Sequence, residues 1–376
     1  MAGKALKKVI VSVTNDLVTD QRVDKTCNTL TAMGFNVILV GRRKTDSSSL
    51  ALRTYQTHRM RLLWEKGPFF YAEYNIRLFF YLLTNSADLL VSNDLDTLLP
   101  NFLVSRLRKL NLIYDSHEYY TETPELVNRP LVKRVWKIIE QWIFPKLTDV
   151  ITVNESIARL YENEYKVHLK VVRNIPLAAE ITSAETRNSL GLPDNKNIIL
   201  MQGAGINIQR GAEEAVEAMQ YLDNCLLLII GGGDVLEILK EKTAALNLSE
   251  KVIFIPKQPY NRLRDFTSNA DIGLTIDKDT NLNYRFSLPN KLFDYIHSGL
   301  PVLASRLPEI SMIVEKYGIG SFIENHDPNH IAEKIKSMLA DTGKMAEYKA
   351  NALKASWELN WQNEEKVLIN IYRKYV

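Results

Sequence analysis

The stretch Ser287-Leu-Pro-Asn290-Lys291-Leu-Phe-Asp294-Tyr-Ile-His-Ser-Gly299-Leu-Pro301-Val302-Leu-Ala304 runs from loop to helix to buried strand around one acidic side chain, and its reading decides the fold. Ser287 to Asn290 supply a Pro-fixed turn and capping side chains, Lys291 to Ser298 make about two helical turns, and Gly299-Leu300-Pro301 stops the helix. A helix followed at once by an apolar strand is part of a parallel α/β unit. Backbone N–H groups at the helix start lack intrahelical partners and attract anions, so a diphosphate can dock there. Lys291 adds a positive charge, and Asp294, one turn in, offers a carboxylate to ribose hydroxyls. Ser287, Asn290, Lys291 and Asp294 therefore read as one side of a nucleotide-sugar site.

Working outward, apolar runs alternate with amphipathic segments, the pattern of parallel α/β units. One series passes through 9–13, 36–40, 89–91, 111–114, 150–153 and 170–172, and a second through 198–201, 226–230, 252–255, 272–274, 302–304 and 320–323. A chain of 376 residues is long for a single core. The expectation is two Rossmann-like, doubly wound domains facing across a cleft at their strand C-termini, where open α/β folds bind ligands. The first spans 1–176, a polar, Ala-rich linker 177–189, the second 190–345, and 346–376 is an amphipathic helical segment.

Gln202-Gly203-Ala-Gly205-Ile-Asn-Ile-Gln-Arg210-Gly211 follows a strand and opens the Ala-rich helix 212–219, so Gly203 and Gly205 permit close backbone approach to phosphate. Gly231-Gly-Gly233-Asp234 repeats the arrangement but is common to all doubly wound folds. Asn111-Leu-Ile-Tyr-Asp115-Ser116-His117-Glu118 puts His117 just past a buried strand. The loop Thr14-Asn-Asp-Leu-Val-Thr-Asp20-Gln-Arg22 follows the first strand. There Arg22 reaches a phosphate as a planar fork, or Asp20 caps the next helix and pairs with Arg22; both readings stand. Asp94-Leu95-Asp96 matches a Mg²⁺-binding signature in three residues only, so Asp94 reads better as an acceptor-site or loop-capping residue, and the same caution covers Asp277-Lys-Asp279.

These motifs resemble the family-4, or group 1, retaining glycosyltransferases of the GT-B fold, over nearly the whole chain. Asp294, Gly299, Pro301 and Val302 fall on that family's acidic-spacer-Gly-x-Pro-Val pattern, and Ser287, Pro289 and Lys291 match a branch with Ser-x-Pro-x-Lys before the acidic residue. The ribose ligand, usually Glu, is here Asp294, and a Glu expected eight positions earlier is replaced by Phe286. The resemblance implies that Arg210 takes the place of the pyrophosphate-binding Lys, that Lys257 lies in the turn contacting the base, and that uncharged His117 hydrogen-bonds the sugar. It further implies a helix in 346–376 crossing back to the first domain. Arg210, Lys291 and His117 are the expected catalytic set, and Asp20, Arg22, Asp94 and Glu118 the expected acceptor set, with Glu122 beside them.

The implied activity is metal-independent, hexosyltransferase-type transfer of a sugar from a nucleotide-diphosphate donor to a hydroxyl of a glycan or lipid-linked glycan in envelope polysaccharide synthesis. No cofactor is expected beyond the co-substrate, and no nucleic-acid partner. In that mechanism the acceptor attacks from the face the leaving diphosphate vacates, and a phosphate oxygen receives its proton. A sugar-nucleotide epimerase or phosphorylase of the same architecture, and a catalytically silent subunit, are the rival readings.

Cys27 and Cys225 sit far apart in apolar contexts without metal-ligand spacing, which suggests reduced core thiols and a cytoplasmic protein. Lys7-Lys8 before a short apolar run is read as a first strand rather than a targeting segment. No window approaches the roughly 20 apolar residues of a spanning helix. Residues 1–175 carry 25 Lys and Arg against 18 Asp and Glu, for +7, and the remainder 22 against 26, for −4. A basic first half suits an anionic membrane surface or a phosphate-linked acceptor, or reflects chance spread. Val132, Val135, Trp136, Ile139, Trp142 and Ile143 form an apolar helical stripe edged by lysines that serves either packing on the sheet or the inner membrane face.

Overall fold

The computed structural model describes residues 6–376 apart from 19, 124–125, 127–128 and 179–184. The chain divides into two compact units, Met1–Asn174 with Asn363–Val376, and Ile175–Gln362.

The first unit holds a seven-stranded parallel sheet of β1 (Lys8–Asp16), β2 (Asn36–Arg43), β3 (Gln56–Arg61), β4 (Leu89–Asn93), β5 (Asn111–Ser116), β6 (Asp149–Thr152) and β7 (Leu169–Val171). Their spatial order is β3-β2-β1-β4-β5-β6-β7, so the direction of winding reverses between β1 and β4. The second unit holds β8 (Asn197–Gly203), β9 (Cys225–Gly231), β10 (Val252–Pro256), β11 (Ile272–Thr275), β12 (Val302–Ser305) and β13 (Gly320–Ile323) in the order β10-β9-β8-β11-β12-β13, reversing between β8 and β11. In a doubly wound sheet the ligand crevice lies at that reversal, beyond the strand C-termini.

The strands of the second sheet are apolar on both faces because both are covered. Ile199, Met201, Leu227 and Ile229 join one core layer. Ile198, Leu200, Leu226 and Leu228, their neighbours in sequence, join the other. That period of two is the strand pleat expressed twice over, as parallel sheets require.

Strand β3 was not expected. Its sequence Gln-Thr-His-Arg-Met-Arg has no apolar run, because an edge strand buried by a single residue needs none; only Met60 is buried. The segment expected over 346–376 is divided. Ala352 and Ala355 of the helix Thr342–Ser356 enter the core of the second unit, and a second helix, Trp361–Tyr372, begins after a break. Leu368, Ile371 and Tyr372 of that last helix are buried, and Glu364 binds Arg173 at 2.9 Å through Nε. Of the expected linker 177–189, residues 179–184 lie outside the described residues. Both cysteines are free and buried.

Candidate functional site

In the second unit the chain leaves β11 and places Asp277, fully buried, at the reversal point between β8 and β11. Two expected site residues converge on its carboxylate. Arg210, in the loop after β8, donates from Nη1 to Asp277 Oδ2 at 3.1 Å, and Lys291, one residue into the helix Asn290–His297, brings Nζ within 3.6 Å of Oδ1. The Arg210 guanidinium also lies over the Tyr284 ring, 4.5 Å from its centroid, an arrangement that favours a planar cation. Gly211 holds this loop in place: its φ is 78°, and a Cβ there would stand 2.4 Å from the Ile276 carbonyl oxygen. Burial pulls the Lys291 ammonium below its usual range; Asp277 opposes that shift and Arg210 adds to it.

One turn along the same helix, Asp294 is oriented by side chains from two other elements. Gln202, buried at the end of β8, donates to Asp294 Oδ2 at 3.1 Å, while its own amide oxygen accepts from Thr267 Oγ1 at 2.7 Å. Tyr260, opening the helix Tyr260–Ser268, donates its hydroxyl to Asp294 Oδ1 at 3.2 Å. Ser287 Oγ is buried in the preceding loop with no hydrogen-bond partner among the described residues, and Asn290 is exposed where the helix starts. Gly203 ends β8 and takes the Gly232 N–H on its carbonyl at 3.1 Å, while Gly205 lies exposed in the loop beyond. Lys257 is exposed past β10, a strand separated from β8 by β9, so it stands apart from the Asp277 group.

The first unit builds a second charged group beyond the C-terminal ends of β4 and β5, beside its own reversal point. Asn93 of β4 pairs in register with Asp115 of β5, so the residues after both strands meet. Asp94 accepts the His117 backbone N–H on Oδ1 at 2.8 Å and has Oδ2 3.3 Å from His117 Nδ1. Asn93 Oδ1 and Asp115 Oδ2 lie 3.2 Å and 3.7 Å from Nε2 on the other side of the ring. Burial works against a charged imidazole, but Asp94 and Asp115 outweigh it and push His117 up to about 9. Against the expected uncharged ring, two carboxylates that reach it from neighbouring strands favour the imidazolium. Asp96 accepts from Thr14 Oγ1 at 2.6 Å, and burial with the nearby Asp94 charge pushes it up to about 7.

Arg22 does not face a ligand. It is 4% exposed and forks onto Asp115, with Nη2 at 2.7 Å and Nε at 3.3 Å, while Nη1 donates to the Val172 carbonyl at 2.7 Å. Burial opposes the Asp115 charge, but Arg22 and His117 hold its carboxyl well below the usual range. Asp20 caps the helix Gln21–Ala32 by accepting the Val23 N–H, as one of the two readings had it, yet its partner is Asn15 rather than Arg22. The Glu118 carbonyl accepts from Ser116 Oγ, and Glu122 pairs with Lys133 at 2.6 Å. Of the expected acceptor residues, only Asp94 touches His117 in these contacts.

Gln202, Tyr260 and Tyr284 were missed as site residues, and Asp277 entered only in the caution against reading Asp277-Lys-Asp279 as a metal-binding signature. The signal for Asp277 was an acidic residue two places past a strand beside the reversal point, but locating that point required the strand order. Asp279, its neighbour in sequence, instead pairs with Arg285 at 2.8 Å.

Two family models match the chain in succession, Glycosyltransferase Family 4 over residues 20–179 and Glycosyl transferases group 1 over residues 182–355. A D-inositol 3-phosphate glycosyltransferase of Acidothermus cellulolyticus is 26% identical over 60% of this chain and 52% of its own length. A chitobiosyldiphosphodolichol beta-mannosyltransferase of Debaryomyces hansenii is 28% identical over 39% of this chain and 33% of its own. The chain spans about half the length of the curated relatives it matches first.

Among solved structures, sucrose-phosphate synthase from Thermosynechococcus elongatus superposes with a TM-score of 0.78 at 17% identity, covering 98% of this chain and 99% of that one. WaaG, a glycosyltransferase involved in lipopolysaccharide biosynthesis, gives 0.76 at 15% identity, over 96% of this chain and 99% of its own. Anabaena HepE in complex with UDP-glucose gives 0.75 at 13%, over 98% and 100%. At these identities the likeness establishes the fold, GT-B. With that fold and the two family models together, the chain belongs to the group 1, family-4 glycosyltransferases.

Proposed function

We propose that this chain is a retaining, metal-independent hexosyltransferase that binds a nucleotide-diphosphate sugar in its second unit and transfers the sugar to a hydroxyl of a glycan or lipid-linked glycan. The observation that carries the reading is the convergence of Arg210 and Lys291 on Asp277, one helical turn from the oriented carboxylate of Asp294. Two cations and a helix N-terminus suit a diphosphate, and a fixed carboxylate suits ribose hydroxyls. Arg210 and Lys291 would stabilise charge on the departing diphosphate, and no protein nucleophile is needed. Metal independence is supported by the use of Asp94: both its oxygens are turned to His117.

In the first unit the charged group around His117 would bind the acceptor. An envelope glycan acceptor agrees with the basic charge of the first half and with the kind of pathway in which WaaG works. It also agrees with a layer of that unit in which Phe69, Ile76 and Phe80 on one helix, and Val135, Ile138 and Trp142 on another, stand in solvent. No helix among the described residues is long and apolar enough to cross a membrane.

The test is binding and turnover of UDP-, GDP- and ADP-linked sugars without added metal, alongside Asp294→Ala. One donor should bind, and Asp294→Ala should lose it by roughly ten- to a hundredfold, the worth of a charge-assisted hydrogen-bond pair. A folded protein that binds none of them would favour the silent-subunit reading, which Phe286 in place of the expected Glu also supports.

A further inference from the structure

The donor site contains a buried anion where an anion is to bind. Asp277 is fully buried, yet its Oδ1 has no hydrogen-bond partner among the described residues and meets only the Lys291 ammonium at 3.6 Å. Its other oxygen is taken by Arg210. A carboxylate so enclosed is costly unless cations pair with it, and two cations drawn together repel unless an anion lies between them. The three groups therefore hold one another in place.

Lys291 is the most exposed to failure of this arrangement. Its side chain is 10% exposed, and burial disfavours its charged form. The charged groups that act on it are Asp277, after β11, and Arg210, in the loop after β8; the first supports the ammonium and the second opposes it. Asp294, on the same helix, is turned to Gln202 and Tyr260. Among the groups that act on it, Asp277 alone favours the ammonium.

We propose that Asp277 is a positioning residue of the donor site: set between Arg210 and Lys291, it fixes both cations and keeps Lys291 protonated before the diphosphate arrives. The inference rests on the donor-site reading above. Its consequence runs against simple electrostatics. Removing a negative charge beside a phosphate site should strengthen anion binding if repulsion were all that Asp277 supplied. Here its removal leaves Lys291 to shed its proton, and the site loses a cation together with the anion.

Calorimetric titration with UDP, GDP and ADP at about pH 8, in buffers of different ionisation enthalpy, separates these outcomes because it counts protons as well as affinity. The wild-type protein should bind one of the three without taking up a proton. Asp277→Asn should bind it roughly ten- to a hundredfold more weakly, the loss of one charge-assisted contact, and should take up more protons on binding than the wild type. Its affinity should recover as the pH is lowered and Lys291 protonates again. In a Lys291→Met background Asp277→Asn should change the proton count no further and keep only the part of its effect that runs through Arg210.

Equal or tighter binding by folded Asp277→Asn, or an unchanged proton count, would overturn the inference and leave the donor-site reading intact. If the variant does not fold, the wild-type proton count decides, since uptake of one proton would show Lys291 neutral despite Asp277. A wild-type protein that binds none of the three nucleotides would remove the donor reading, and this inference with it.

Discussion

Two carboxylates converge on the His117 ring, and their combined effect exceeds the cost of its burial. A histidine whose pKa rises from about 6.5 unfolded to about 9 folded adds stability that is complete below the lower value and is lost as pH rises through the upper one. Asp94→Asn should return the ring toward its ordinary titration, seen as a downfield-shifted imidazole proton signal that disappears nearer neutral pH by NMR. The melting temperatures of wild type and Asp94→Asn should differ at about pH 7 and draw together above about pH 9. A ring titrating identically in both would show that Asp94 does not set its charge. Asp94 itself sits at φ 57° and ψ 166°, a region nearly reserved for glycine that costs about 1–3 kcal/mol, and strain of that kind clusters at functional sites. The place of His117, just past a buried strand, was legible in the sequence. Its charge was not, because Asp94 lies 23 positions earlier and arrives only through the pairing of β4 with β5.

At the scale of elements, the helix Pro130–Ile143 shows why one apolar stripe can carry two readings at once. Trp136 and Ile143 are buried, while Val135, Ile138 and Trp142 are exposed. The lysines bordering it divide likewise: Lys137 in the helix pairs with Glu140 and Glu164, whereas Lys146, just past its end, lies 4.7 Å from the Trp142 ring centroid. Packing and a membrane-facing surface are therefore not exclusive here. The double variant Val135→Asp, Ile138→Asp should weaken co-sedimentation with anionic phosphatidylglycerol vesicles by roughly tenfold or more, from lost apolar burial and added like charge. Thermal stability should change by less than about 1 kcal/mol, since neither side chain supports the core. Retained vesicle binding by that variant would place the membrane contact elsewhere. Strands were read correctly wherever both sheet faces are covered, because an apolar run then follows from burial itself. The missed strand, β3, lies at an edge, where backbone pairing with β2 holds a polar sequence in place and leaves no such run.

At the scale of the whole molecule, the chain leaves the first unit at Asn174 and supplies its last piece from Asn363 onward. That piece is integral: besides Glu364 on Arg173, Glu365 accepts from Thr29 Oγ1 at 2.6 Å and Lys374 pairs with Asp149 at 2.6 Å. Removing residues 363–376 should lower the unfolding temperature of the first unit and leave that of the second unchanged, giving two separated transitions by scanning calorimetry. A single unshifted transition would show the segment to be dispensable. The same connectivity orders events on the ribosome. The first unit emerges first and yet is finished last, since the helix bearing Leu368, Ile371 and Tyr372 is translated only after all 188 residues of Ile175–Gln362 have appeared. At about 5–20 residues per second, the nascent first unit must keep the apolar seat for that helix uncovered for roughly ten seconds or more, an interval in which exposed apolar surface invites aggregation.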